Sequence, residues 1–203
     1  MNKKAFTLIE VLIAILIFAL GLTSIFMLIN SSIKANSFNE NQIIAANLAR
    51  EEIELLRNIR DSNYKVFKKW NFINPALDNW FDDSNNYFQT GSYYKIENDF
   101  DSHATFPIKV EKISDFWEWK TELDWKMLDY RLCIDSNWIY TYNCTDPHNK
   151  KTRFYRYLKL ETLKNKDWVI KDAFKVISTV IWYDRWWYHK KSIKTILADW
   201  KRL

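Results

Sequence analysis

The start of the chain limits what it can become more than any other stretch. From Phe6 to Ile29 there are 24 residues, and Glu10 is the only charged one. As a helix rising about 1.5 Å per residue, this run is long enough to cross ~30 Å of hydrocarbon. Lys3 and Lys4 precede it, which predicts an N-terminus held in the cytoplasm and a remainder that is exported. A secretory signal peptide would have a shorter apolar stretch with a small-residue cleavage site behind it. No A-x-A follows Ile29, so the segment is expected to stay as an anchor. A carboxylate among lipid tails is costly and needs an explanation. Two are open: Glu10 snorkels to the nearby interface, or it waits for a positive group from another subunit.

Beyond Ile29 the helical pattern continues and changes character. In NQIIAANLAREEIELLRNIRDSN, residues Ile44, Leu48, Leu55 and Ile59 recur at spacings of four and seven, one apolar stripe. Glu51, Glu52, Glu54, Arg57 and Arg60 take the other positions, and Glu54 precedes Arg57 by three. Asp61-Ser62-Asn63 reads as the stop. One helix from Phe6 to Arg60 would be roughly 80 Å long, with Gly21 a point where it could bend. Its second half is expected to pack on a sheet.

Residues 62–103 are rich in Asn, Asp, Ser and aromatics and read as a long connection with short elements. From Phe106 the period becomes two, with Ile108 and Val110 continuing one face. MLDYRLCI (127–134), RFYRYLKLET (153–162), AFKVISTVIWYD (173–184) and SIKTILADW (192–200) follow. Val176, Ser178, Val180 and Trp182 would share a face. A helix followed by an antiparallel meander gives the class α+β. The expected organisation is a leader at 1–5, a membrane-spanning half-helix at 6–29, an amphipathic half at 30–61 and an exported globular domain at 62–203.

The motif KAFTLIEVLIAILI resembles the class III leader of type IV prepilins and pseudopilins. The resemblance covers the first 60 residues, and VISTVIWYD…KKSIKTILADWK resembles the C-terminal strands of minor pilins of the type IV pilus modification type. It implies a pilin-like lollipop, and cleavage by a prepilin peptidase between Ala5 and Phe6 with methylation of the new N-terminus. Lys3 and Lys4 would supply the leader's positive charge. Glu10 becomes the fifth mature residue, the family's assembly acid, with Thr7 beside it in the same motif. Its implied partner is the amine of Phe6 on a neighbouring subunit. Alanine at position 5 departs from the usual glycine. The implied function is a minor pilin, and the implied partners are other pilins, the peptidase and a membrane assembly machine. The alternatives are a pseudopilin of a type II secretion system and a DNA-uptake or adhesin subunit.

Charge adds little to that choice. The net +5 falls to +3 without the leader, an excess that fits an ordinary basic surface as well as a nucleic-acid binder. Cys133 and Cys144 flank IDSNWIYTYN; in an exported domain they are expected to pair and close a hairpin, whereas in the cytosol they would be two thiols. His103, His148 and His189 lack metal-ligand spacing, and no nucleophile elbow or phosphate loop occurs. The sequence supports no catalysis, no cofactor and no metal.

One total is anomalous: two glycines against eleven tryptophans, where about 7% glycine is usual. Asn79-Trp80, Asp124-Trp125, Asn137-Trp138 and Asp167-Trp168 stand where Asn-Gly or Asp-Gly would make a turn. Trp186-Trp187 separates two strands, and Trp70, Trp117 and Trp119 lie in polar contexts. The pattern implies that these nine are glycines in the living cell, encoded by a UGA codon read there as glycine. Trp182 and Trp200 sit in strand-like contexts and would remain tryptophan. The competing reading is a real tryptophan-rich surface for binding glycans or other surfaces.

Overall fold

The computed structural model describes residues 7–76, 86–99, 106–114, 130–165, 168–184 and 187–201. Helix α1 runs unbroken from Leu8 to Lys65, through Gly21. By internal contacts the chain divides into two units, residues 1–43 and 44–203. In the first unit the apolar side chains from Leu8 to Ile29 lie exposed. The helix is long and apolar enough to cross a membrane.

In the second unit, the end of α1 packs on a seven-stranded sheet whose pairings are all antiparallel. The strands are β1 (Tyr93–Asn98), β2 (Ile108–Ile113), β3 (Arg131–Ile134), β4 (Tyr140–Thr141), β5 (Lys150–Asn165), β6 (Trp168–Asp184) and β7 (Trp187–Ala198). The last three form a sequential meander. Its register sets Leu160 beside Val176 and Val176 beside Thr195. Phe174, Val176, Ser178, Val180 and Trp182 share the buried face, as their alternation predicts.

The expectation of a simple meander needs correction before β5. The β1–β2 hairpin lies beside β5, through Tyr93 with Lys159 and Tyr94 with Leu158. β3 takes the neighbouring length of the same β5 edge, from Lys150 to Tyr155. At 16 residues β5 can hold both on one side and β6 on the other. β1 falls within the stretch read as connection; its Tyr94 and Ile96 are fully buried.

Leu48, Leu55 and Ile59 are buried, and Leu55 and Ile59 pack with Ile53 and Leu56 against Leu158, Leu160, Phe174 and Leu197. Burying each such side chain is worth about 1.5–3 kcal/mol, so this face holds the half-helix on the sheet. The helix continues two residues past its expected stop because Asn63 turns inward. Its amide donates to the carbonyls of Trp70 (3.2 Å) and Phe72 (2.7 Å). The end is capped by Lys68 N–H donating to Asn63 O, with Phe67 in the left-handed seat at φ 58°.

Candidate functional site

At the helix start, Thr7 and Glu10 form a local unit. The Thr7 N–H and the Thr7 hydroxyl each donate to Glu10 Oε2 at 2.9 Å. The carbonyl of Thr7 accepts from Glu10 N–H at 3.1 Å, the first turn of α1. Thr-x-x-Glu at a helix N-terminus is a capping arrangement, and a negative group there also suits the helix dipole. Glu10 is thus oriented by its own chain and stays exposed. The Thr-x-x-Glu spacing is itself a cap signal in the sequence. Lys3, Lys4, Ala5 and Phe6 lie outside the described residues.

A second polar cluster sits under the sheet and corrects the reading of the amphipathic half. Glu52, read as a polar-face residue, is wholly buried, as is Arg156 of β5. Ser178 Oγ donates to Glu52 Oε2 at 2.5 Å. The Arg156 guanidinium donates to Ile96 O at 2.8 Å, to Leu48 O at 3.2 Å and to Glu51 Oε2 at 3.2 Å. It also donates to Tyr142 Oη at 3.1 Å and lies 3.9 Å from Glu52 Oε1. One side chain thereby ties α1, β1 and the segment after β4 to β5. Burial pushes the Glu52 carboxyl up to about 7, opposed by Arg156 and the Ser178 hydroxyl. Burial also raises the Tyr142 phenol. Burial works against the Arg156 charge, but Tyr142, Glu52 and Glu51 outweigh it. Glu54 and Arg57 pair on the exposed side at 2.6 Å, at the spacing read from the sequence.

Cys133 of β3 and Cys144 are joined by a disulfide, with Cα atoms 5.5 Å apart. It closes the β3–β4 hairpin. At the hairpin tip Asp135 Oδ1 accepts from the N–H groups of Asn137 and Ile139, both at 2.8 Å. Trp138 sits in the left-handed region at φ 64° and is 84% exposed. Trp187 is also exposed. Trp70 differs: it is buried, with its ring 4.7 Å from that of Phe174. Trp182 is buried on the inner face of β6, and Trp200 stands edge-on to Tyr64. Trp80, Trp117, Trp119, Trp125, Trp186 and the side chain of Trp168 lie outside the described residues. Among those described, no cluster of His, Cys, Asp and Glu could hold a metal ion.

Residues 1–26 match the family described as the prokaryotic N-terminal methylation motif. The start of the chain is therefore a type IV prepilin motif, which implies processing by a prepilin peptidase, membrane anchoring and assembly with other pilins. No curated protein and no solved structure matches the chain.

Proposed function

We propose that this chain is a minor subunit of a type IV pilus-like filament. It is made as a prepilin with its N-terminus in the cytoplasm and cut between Ala5 and Phe6. The apolar half of α1 holds it in the membrane until the assembly machine moves it into the filament. Residues 62–203 are the exported, displayed part. The observation that carries this reading is the methylation motif at residues 1–26 ending in a helix whose only early charge is Glu10. Both intrachain bonds of Glu10 fall on Oε2. Oε1 is then the acceptor for the Phe6 amine of a neighbouring subunit. A charge that is costly alone and paired on docking favours subunits in register.

Glu10→Gln tests this in cells that make the filament. The variant keeps the Thr7 cap and the apolar run. It is expected to be cleaved and to stay in the membrane fraction, while sheared filaments contain little of it. Incorporation equal to the parent's would refute the docking role.

A further inference from the structure

Two triplets of the form Asn-x-Ser/Thr occur in the chain, Asn30-Ser31-Ser32 and Asn143-Cys144-Thr145. With any residue but proline in the middle, such a triplet is an acceptor for sugar transfer to the asparagine amide on a surface loop of an exported domain. The triplet is short, and its placement decides its use. Asn30 lies inside the unbroken helix α1, directly after the apolar run. Asn143 lies between β4 and β5, in the loop that the disulfide ties to β3, and both it and Thr145 are exposed.

The loop holds the main chain of Asn143 and leaves its side chain outside. Cys144 N–H donates to Tyr142 O at 2.9 Å, a three-residue turn with Asn143 at its apex. Asn143 N–H donates to Thr141 Oγ1 at 3.1 Å, and Asn143 O accepts from Asn149 Nδ2 at 2.6 Å. In the side chain, Asn143 Oδ1 accepts from the Thr145 hydroxyl at 2.8 Å, so the two outer members of the triplet are already in contact. Nothing among the described residues accepts from Asn143 Nδ2. Asn143 also lines a cleft of about 630 Å³ whose wall includes Asp135, Ser136, Thr141, Asp146, His148 and Asn149. Carboxylates, hydroxyls and amides are the groups that hydrogen-bond hydroxyl-rich sugars, so the cleft offers the first sugars a seat.

We propose that Asn143 is an N-glycosylation site. The modification depends on the proposed export of residues 62–203. Its donor is an oligosaccharide carried on a lipid pyrophosphate, and a membrane oligosaccharyltransferase acting on the exported side makes the transfer. Asn143 Nδ2 forms a bond to the anomeric carbon of the first sugar and gives one proton to a base of that enzyme. The bond from that carbon to the pyrophosphate oxygen breaks, and the lipid pyrophosphate leaves with the electron pair. Nothing is oxidised or reduced. The attached glycan covers this loop with a bulky, hydrated group.

The test is peptide mass spectrometry of the full chain from its native cells, alkylated before reduction so that paired and free thiols are told apart. Electron-transfer fragmentation is expected to place a glycan on Asn143 and none on Asn30. T145S is expected to keep the glycan. N143Q is expected to lose it, as is T145V, which keeps the shape of threonine without the hydroxyl. A bare Asn143 in the parent would overturn the proposal. A glycan on Thr145 or another hydroxyl instead, or an undiminished glycan in T145V, would overturn it equally. The cysteines show what else falls with it. A bare Asn143 in a chain with Cys133 and Cys144 paired leaves export standing and refutes the acceptor alone. A bare Asn143 with both thiols free refutes the export of the domain as well.

Discussion

Replacing Trp138 by glycine should make the protein more stable, although it removes a large aromatic side chain. The residue occupies the fourth position of the turn Asp135-Ser136-Asn137-Trp138. Its N–H donates to Asp135 O at 3.2 Å, and Asp135 N–H donates to Ile139 O at 3.0 Å. This is a type I turn followed by a left-handed residue, the three-residue hairpin loop in which glycine is favoured. At φ 64° a side chain costs roughly 1–2 kcal/mol that glycine avoids. Against this stands the greater freedom of glycine in the unfolded chain, about 0.5–1 kcal/mol. Because the ring is 84% exposed, its removal sacrifices little burial. The net gain is about 0.5–1 kcal/mol, or a Tm increase of about 1–4 °C for a chain of this size. Thermal unfolding of the W138G variant by circular dichroism, with the disulfide intact, measures it. W138A controls for loss of the ring and should be less stable than W138G. If W138G melts below the parent, the strain argument fails, and with it the best local support for glycine as the natural residue at 138.

Other perturbations have equally definite outcomes. The folded chain holds Glu52 protonated up to about pH 7, whereas the unfolded chain releases that proton near 4.5. Stability should therefore fall as pH rises between those values, by about 1 kcal/mol per unit at the steepest, and level off above. Urea midpoints across pH should show this decline in the parent and lose it in Glu52→Gln. Replacing Cys133 and Cys144 together by serine opens a loop with a sequence separation of 11 and should cost about 2–4 kcal/mol, read as a lower denaturant midpoint that reductant no longer changes. Leu56→Ala empties a fully buried seat between α1 and the sheet and should cost about 2–5 kcal/mol in the same assay.

The sequence disclosed most where the physics is local. The span from Leu8 to Ile29 needs only hydropathy and length, and the alternation of Phe174, Val176, Ser178, Val180 and Trp182 names its own buried face. The burial of Glu52 is hidden in the sequence because it sits in the run Glu51-Glu52-Ile53-Glu54, whose charges look like a solvated face. What buries it, Arg156 and Ser178, lies more than 100 residues away in sequence. A signal was nevertheless present: Phe154, Arg156, Leu158 and Leu160 share one phase of β5, which puts an arginine on an apolar face and requires a buried partner. The insertion of the β1–β2 hairpin beside β5 had no comparable signal. It depends on a long β5 offering one edge to two partners, and strand spacing does not encode that choice. At the N-terminus the opposite holds, since the motif is contiguous and its chemistry sits within a few residues.

The central claim is that this chain is a processed filament subunit, and its N-terminus tests it most directly. Peptide mass spectrometry of the protein purified from its native cells should find a chain that begins at Phe6 with a methylated amine and lacks Met1 to Ala5. A chain that retains Met1 and an unmodified leader would contradict the account and leave an unprocessed membrane anchor.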